Sequence, residues 1–216
     1  FQLTVIEANG RSPQVALNVS EPNPLRADIV DRNGVLLATN VPSVTLTVRP
    51  ARLLDPSTTA EKIAAILPEL SPSFILDRMS PRRRVAQIKK HLTPRQHFLL
   101  NAIGDPGLEF VQDTKRLYPN GALAAHAIGF ADADGKGRLG VEGFLNQRLE
   151  DLGQDHHALR LTIDTRVQHA LEDELWRAMN KHEAKGAAGV ILNIHTGELL
   201  AMASLPDFDP NAVARS

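Results

Sequence analysis

Short apolar runs alternate with polar residues near the start of the chain. The apolar segments 29–30 and 35–37 flank Asp-Arg-Asn-Gly at 31–34. Asn-Gly between apolar runs is a strong β-hairpin signal, because both residues tolerate positive φ. Apolar and polar side chains then alternate over 44–49, which predicts a half-buried strand. Pro50 is expected to end it, because proline cannot donate to a strand ladder.

The next region has the three- and four-residue apolar spacing of helices. We predict helices that begin at Thr58, Ser71 and Thr93. The first and third carry capping boxes, in which Thr58 pairs with Glu61 and Thr93 pairs with Gln96. Further along, the pattern predicts an extended segment, a turn and two short helices, at 110–117, 118–121, 123–128 and 141–152.

The last part of the chain has the pattern of a strand, a long helix and a hairpin. Alternation over 159–163 predicts the strand, and apolar residues at every fourth position over 167–179 predict the helix. A capping box at Thr165 starts this helix, and Gly186 is its expected stop. Apolar runs on both sides of 195–198 predict the hairpin. Strands at both ends with helices between them indicate an α+β fold.

Charge and residue counts exclude several classes of function. The chain has 24 basic and 25 acidic residues, a formal net charge of -1. This balance argues against a nucleic-acid-binding protein, which would carry a basic excess. There is no Cys, which excludes disulfides, thiol nucleophiles and Cys-ligated metals. No apolar run approaches the roughly 18 residues that a membrane span needs.

The sequence gives only weak signals for a metal site or a catalytic site. The eight His residues show no spacing that brings three or four ligands together, so we expect no metal and no cofactor. The segment 132–137 is similar to the start of a calcium loop, but Lys136 and Gly143 occupy two ligand positions. A glycine-rich surface turn is the interpretation we favour. No Ser lies in G-x-S-x-G or S-x-x-K, so the residues alone indicate a non-catalytic piece.

Positive charge is concentrated in the middle of the chain. From Arg78 to Arg95 there are seven basic residues and no acidic one. Such a patch suits an acidic protein, anionic lipid headgroups or a polyanion, whereas a solvated helix face is the simpler alternative. The candidate partner-binding residues are Arg82, Arg83, Arg84, Lys89 and Lys90.

Four stretches resemble the class B penicillin-binding proteins, the bacterial D,D-transpeptidases that cross-link peptidoglycan. They lie at 26–38, 116–129, 140–149 and 161–202, in the order of the family. The closing residues 204–211 are similar to the septal, cell-division type. We assign structural roles to the motif residues Arg26, Asp31, Arg32, Asn33, Gly34, Arg116, Tyr118, Gly121, Gly140 and Glu142.

The resemblance implies an elongated pedestal, also called the dimerisation domain, at 1–158, with a helical head at about 51–115. The start of a transpeptidase domain would follow at 159–216, without its active site. The family's serine nucleophile would lie beyond Ser216, so no catalytic residue is assigned. Within this frame, the charged motif residues are expected to pair between distant segments. The helix predicted over 165–185 would lack the part of its domain that normally covers its apolar face.

The resemblance also implies a location and partners. A membrane helix upstream of this chain would anchor the longer protein in the inner membrane, with this chain in the periplasm. The implied partners are the membrane-embedded glycan polymerase and other division proteins, and the longer protein's substrate would be the peptidoglycan stem peptide. Two alternatives remain open. One is a module that binds an anionic polymer or an acidic partner through the patch at 78–95, and the other is a self-sufficient hydrolase with an unrecognised Ser-His-Asp set.

Overall fold

Residues 26–213, described by a computed structural model, form the predicted mixed α+β fold. The strands of this part are β1 (Ile29–Val30), β2 (Leu36–Val48), β3 (Ala86–Lys89), β4 (Leu108–Leu117), β5 (Leu159–Arg160), β6 (Ala187–Leu192) and β7 (Leu199–Leu205). Its helices are α1 (Pro56–Ile66), α2 (Pro72–Arg78), α3 (Pro94–Asn101), α4 (Ala125–Ile128), α5 (Gly140–Phe144), α6 (Asn146–Gln154), α7 (Thr165–Lys181) and α8 (Pro210–Val213). The ends of the two predicted domains, 1–25 and 214–216, lie outside the described residues.

The long strand β2 organises the larger sheet. β4 pairs with it antiparallel, from Thr39 opposite Leu117 to Val48 opposite Leu108. β1 pairs with the beginning of β2 and β3 with its end, both antiparallel. β5 joins the outer side of β1 in parallel. The strand ends just before Pro50, as predicted, and a short 3-10 turn follows.

Two hydrophobic cores lie along β2. Its first part contributes Leu37 and Ala38 to a core that also takes residues from α4, α6 and β5, here called the body core. Its last part contributes Leu46 and Val48 to a core shared with α1, α2, β3 and α3, here called the head core. Thirteen extended residues span roughly 40 Å. One continuous strand therefore reaches both cores.

Of the three helix N-caps predicted in the head, two are confirmed and one is wrong. The predicted caps at Ser71 and Thr93 are confirmed, the latter as a complete capping box. The predicted box at Thr58 is wrong, because α1 begins earlier, at Pro56, with Asp55 as its N-cap. Proline suits the first helical position, since its φ is already helical and the N–H it lacks would have no partner there.

The basic segment does not form one helix, so the alternative of a single solvated helix face is wrong: only Arg78 and Arg95, at its two ends, lie in helices. Residues 80–85 form turns and bends, and β3 follows at once, paired with the end of β2. Ala86 and Ile88 are buried in the head core, whereas Gln87 and Lys89 are half-buried. This alternation is the burial pattern of a strand, and four residues are too few for it to stand out in the sequence.

The long helix α7 has different ends from those predicted. Asp164 is the N-cap instead of Thr165, and its side chain accepts a hydrogen bond from a backbone N–H in the first turn. The helix ends at Lys181, and the left-handed residue that follows is Glu183 (φ 50°), not Gly186. A backbone bond across that residue closes the last turn, so no glycine is needed for the stop.

The apolar face of α7 packs on the hairpin of β6 and β7. A Cβ atom at Gly189 would lie 2.9 Å from Leu171 and 3.4 Å from Leu175, so the helix and the hairpin are in close contact. The apolar positions 167, 171, 175 and 179 are therefore half-buried, and the expectation that they lack cover is wrong. On the outer face of β6, Val190 and Leu192 are 56% and 55% exposed.

The predicted turn with positive φ lies between β1 and β2, and its left-handed residue is Gly34. Gly34 N–H donates to Asp31 O at 3.1 Å, and Asp31 N–H donates to Val35 O at 2.9 Å. Gly34 has φ 86°, but Asn33 does not have positive φ. This is a three-residue loop with a left-handed third residue, in which only the glycine needs unusual backbone freedom.

We expect Gly34→Val to lower the free energy of unfolding by about 1–3 kcal/mol. A Cβ at Gly34 would meet no atom within 4 Å, so the cost comes from the backbone conformation alone. Gly34→Asn is the matched control, because asparagine tolerates the left-handed region. Thermal unfolding of both variants tests this, and a Val variant as stable as the Asn variant would contradict it.

Candidate functional site

A carboxylate buried between two arginines ties three distant segments together. Glu142 is fully buried, and Arg26 and Arg116 are 3% and 6% exposed. Arg26 Nη2 lies 2.6 Å from Glu142 Oε2, and Arg116 Nε lies 2.7 Å from Glu142 Oε1. The predicted pairing of charged motif residues between segments is therefore present at these three positions. We call these residues and Tyr118 the glutamate cluster.

The other nitrogen atoms of the two guanidinium groups are also bonded. Arg26 donates to Gly135 O at 3.0 Å and to Asn146 Oδ1 at 2.8 Å. Arg116 donates to Ala27 O at 2.8 Å and to Asn40 Oδ1 at 3.2 Å. Buried charges are tolerated only when such bonds replace their hydration. Every guanidinium nitrogen of the cluster thus has at least one hydrogen-bond acceptor, as expected of a structural network.

Tyr118 closes the cluster on the side of α4. Its hydroxyl donates to Glu142 Oε1 at 3.3 Å and accepts from Ala131 N–H at 2.8 Å. Burial, reinforced by the negative charge of Glu142, raises the pKa of the Tyr118 phenol far above its ordinary value. This tyrosine therefore stays neutral and acts as a fixed hydrogen-bond donor.

Two glycines allow Glu142 to reach its place. Gly140 starts α5 with φ 56°, and a Cβ on it would lie 2.6 Å from Ala127 O. A Cβ on Gly129, which follows α4, would lie 1.8 Å from Leu139 O. Side chains at these positions would drive the two helices apart. Gly121, the other predicted motif glycine, has φ 59° in the turn after β4.

The turn between β1 and β2 binds the start of α7. Asp31 is fully buried, and its carboxylate accepts hydrogen bonds from Asn33 N–H at 2.7 Å and Val35 N–H at 2.9 Å. It also accepts from the backbone N–H of Thr165 at 3.1 Å and from the Thr165 hydroxyl at 3.0 Å. The turn therefore supplies α7 with a second N-terminal carboxylate besides Asp164.

Hydrogen bonding sets the charge state of Asp31. Burial by itself would raise the pKa of this carboxyl, but the bonds from Thr165, Val35 and Asn33 together outweigh burial and hold the pKa below its ordinary value. The Arg166 side chain, with help from the Asn33 amide, likewise holds the pKa of Asp164 well below its usual range. Both carboxylates are thus ionised beside the positive end of the helix dipole.

Further contacts extend this junction to the hairpin. The Asn33 amide donates to Asp164 Oδ2 at 3.1 Å, and Arg32 N–H donates to Ile163 O at 2.9 Å. The Arg32 side chain lies 3.4 Å from Glu198 in the turn after β6. One turn of the chain therefore contacts both α7 and the hairpin that supports it.

The predicted partner-binding residues do not form one group. Lys89 pairs with Glu69, and Lys90 Nζ lies 2.8 Å from Asp134 Oδ1. The three arginines differ from them because all are exposed, on the turn that precedes β3. The two lysines thus differ from the three arginines in their position and in forming ion pairs within the chain.

A cleft of about 650 Å³ separates the head from the body. His91 lies in it with φ 56°, and its Nδ1 is 3.1 Å from Ser43 Oγ. Burial lowers the pKa of His91, although Asp113 acts in the opposite direction. The Lys90–Asp134 pair bridges the same cleft. The Lys90–Asp134 ion pair therefore links the head to the body across the cleft.

The described residues hold no cluster of three or more His, Asp or Glu side chains suited to a metal. The predicted surface turn at 132–137 is present, and Asp132 accepts hydrogen bonds from Asp134 N–H and Lys136 N–H, both at 3.0 Å. Its other oxygen accepts from Arg138 Nε at 2.6 Å. Over 26–213, no helix is long and apolar enough to cross a membrane.

Sequence reasoning missed the neutral members of these networks. Asn40 and Asn146 bond to the arginines of the glutamate cluster, and Thr165 bonds to Asp31. Gln168 is fully buried and bonds to both backbone groups of Met202. In the sequence, such a residue stands out only as a polar position among apolar ones. That pattern does not indicate which distant residue it bonds to.

Comparison with known proteins identifies the family. A family model described as the penicillin-binding protein dimerisation domain matches residues 21–151. The chain belongs to this family. The predicted resemblance is therefore confirmed. Every member of the glutamate cluster lies inside the matched region.

Curated relatives support the same assignment. The chain is 41% identical over 187 residues to a probable peptidoglycan D,D-transpeptidase FtsI of Caulobacter vibrioides, covering 86% of this chain and 32% of the relative. It is 28% identical over 226 residues to the peptidoglycan D,D-transpeptidase FtsI of Escherichia coli K12, covering 91% and 38%. The chain thus spans about a third of the length of these relatives.

Solved structures share the fold. A complex between penicillin-binding protein PBP2 and MreC from Helicobacter pylori matches 87% of this chain and 43% of that chain, with a TM-score of 0.64 and 24% identity. A peptidoglycan synthetase from Bifidobacterium adolescentis matches 87% of this chain and 44% of that chain, with a TM-score of 0.54 and 21% identity. At these identities, the likeness concerns the fold alone.

We expect Glu142→Gln to lower the free energy of unfolding by about 3–5 kcal/mol, because it removes the buried negative charge that Arg26 and Arg116 share. Glu150→Gln is the control. Glu150 lies 3.6 Å from Arg26 but is 23% exposed, so its loss should cost about 1 kcal/mol or less. Urea unfolding at neutral pH measures both variants, and equal losses would contradict the central role of Glu142.

We also expect the stabilisation by Asp31 to depend on pH. The folded-state pKa of Asp31 lies below its ordinary value of 3.8, so its contribution is complete above that value and is lost as the pH falls through the folded-state pKa. The difference in unfolding free energy between the native chain and Asp31→Asn should therefore shrink from pH 7 towards pH 3. Glu61→Gln, at an exposed position, is the control, and a difference independent of pH would contradict the prediction.

Proposed function

We propose that this chain is the non-catalytic pedestal of a class B penicillin-binding protein, joined to the first part of its transpeptidase domain. The longer protein would cross-link peptidoglycan at the division septum. The D,D-transpeptidase relatives support this, since two of them are named FtsI and cover most of the chain. The anionic-polymer module and the hydrolase have no comparable support.

One observation carries the proposal of a structural role. The charged motif residues are bonded to one another inside the protein, and Glu142 has no exposed surface. A general acid or base must reach its substrate, and a carboxylate held between two arginines does not. We therefore assign Arg26, Arg116, Tyr118 and Glu142 to the architecture of the pedestal.

The proposed division of the chain follows the same reasoning. We propose a pedestal at 1–158 with a head at about 51–115, and the start of the transpeptidase domain at 159–216. The family match over 21–151 is compatible with this boundary. The bonds of Asp31 and Arg32 to the start of α7 would then be contacts between the two domains. The serine nucleophile would belong to a part of the longer protein that follows.

The proposed setting is the periplasmic side of the inner membrane. An upstream membrane helix would anchor the longer protein, and its substrate would be the peptidoglycan stem peptide. Proposed partners are the membrane-embedded glycan polymerase and other division proteins. The solved complex of a PBP2 with MreC supports the view that proteins of this fold bind other proteins.

We expect this chain to form no covalent adduct with penicillin, because acylation needs a serine activated by a neighbouring base and no S-x-x-K is present. Labelling with a fluorescent penicillin and intact mass measurement test this. The longer protein that carries the chain is the positive control and should be labelled. Stoichiometric labelling of the chain itself would contradict the proposal.

We expect the longer protein, fused to a fluorescent protein, to concentrate at the division site of growing cells. A membrane-anchored fluorescent protein without this chain is the control for uniform envelope signal. Concentration along the side wall instead of the septum would contradict the septal role, while the assignment to penicillin-binding proteins would stand on the labelling result.

A further inference from the structure

We propose that Asn211 is a positioning residue, which fixes the segment after β7 on the pedestal and so sets the position of the transpeptidase domain that follows. We call residues 206–213 the exit segment. The inference rests on the proposed function, because it takes the chain after β7 to lead into the part of the longer protein that carries the nucleophile. It adds a specific residue through which the pedestal would act on catalysis.

The side-chain amide of Asn211 pairs with the backbone of a single residue of the pedestal. Its Oδ1 accepts a hydrogen bond from Tyr118 N–H at 3.0 Å, and its Nδ2 donates to Tyr118 O at 2.9 Å. A residue in an antiparallel sheet exchanges both of its backbone bonds with one partner in the same way. Because β4 ends at Leu117, this side chain continues the pairing of the sheet one residue beyond the strand.

Asp209 fixes the orientation of this amide. Its Oδ1 accepts a hydrogen bond from Asn211 N–H and another from Asn211 Nδ2, both at 2.9 Å. Since the carboxylate of Asp209 and the carbonyl of Tyr118 are both acceptors, the nitrogen of the amide must face them. Aspartate at position 211 would lack this donor, and alanine would lack both polar groups. The pairing with Tyr118 therefore depends on the chemistry of the asparagine.

An aromatic contact holds the exit segment a few residues earlier. The Phe208 ring meets the His126 ring edge-on, with 5.2 Å between the centroids, and its centroid lies 6.3 Å from that of Phe130. His126 belongs to α4, and Phe130 packs against the body core. Pro210, which precedes Asn211, is buried. The exit segment is thus attached to the pedestal at one apolar point and one polar point.

The polar point of attachment is shared with the glutamate cluster. Tyr118 holds Asn211 through its backbone, while its hydroxyl donates to Glu142 Oε1. Two other contacts between the proposed domains bind α7 instead, at its start and near its middle. Asn211 therefore connects the chain that follows β7 to the buried charges of the pedestal, at a place that α7 does not occupy.

The first test measures the pairing in the chain itself. Hydrogen exchange at the Tyr118 amide should be slow, because Asn211 accepts its N–H. We expect exchange to be roughly tenfold faster or more in Asn211→Ala, in which the acceptor is lost. Asn101→Ala, at an exposed position in the head, is the control and should leave this exchange rate unchanged. The same rate in Asn211→Ala as in the native chain would overturn the inference.

The second test measures acylation of the longer protein by penicillin. At saturating penicillin, the rate reports on the chemical step and not on binding. We expect it to fall roughly tenfold or more in Asn211→Ala, because small displacements of reacting groups are costly. Asn211→Asp keeps the size of the side chain but lacks the donor, so it should also lower the rate. Asn101→Asp has the same change in charge, and its rate should change less than about twofold.

A further control separates positioning from a general loss of stability. Ile63→Val removes a methylene from the head core, so it destabilises the protein without touching the exit segment. Its acylation rate below the unfolding transition should stay native. Equal losses of rate in Ile63→Val and Asn211→Ala, or a native rate in both Asn211 variants, would overturn the inference. A longer protein that penicillin does not label would instead contradict the proposed function, while exchange at Tyr118 would still decide the pairing, so the two proposals fail separately.

Discussion

The buried carboxylate of Glu142 is the interaction on which the body of this protein depends. It joins residues that are 116 and 26 positions away in the chain, through Arg26 and Arg116. Neither guanidinium group could stay buried without that negative charge and the carbonyl oxygens around it, since unpaired buried charges cost several kcal/mol. The close contact of α4 and α5 at Gly129 and Gly140 is what brings Glu142 to them.

A second constraint is the continuity of β2 through both cores. Because the strand passes from the body core to the head core, the head is connected to the body by paired backbone and not by a linker. The Lys90–Asp134 pair adds a side-chain contact across the cleft. At the other end of the body, the turn containing Asp31 holds the start of α7. The body is thus joined to the head through paired strands and to α7 through the hydrogen bonds of Asp31.

The distribution of charge separates architecture from surface. The motif arginines Arg26 and Arg116 are buried and paired, and Lys89 and Lys90, at the end of β3, are paired with acids of the same chain. Arg82, Arg83 and Arg84, on the turn before β3, differ in that their side chains are exposed. In a chain with a formal net charge of -1, such a local excess is a feature of one surface, and it lies in the head, away from the glutamate cluster.

Local signals in the sequence were enough for the turn at Gly34, the cap at Thr93 and the hairpin of β6 and β7, because each depends on neighbouring residues only. The caps at Asp55 and Asp164 were missed because several adjacent polar residues can cap a helix, and packing selects among them. The motif arginines and Asp31 were recognised as important, but Asn40 and Asn146, which bond to the arginines, and Thr165, which bonds to Asp31, were not. Those bonds join residues up to 134 positions apart, and only the tertiary fold decides which distant polar groups share a buried site.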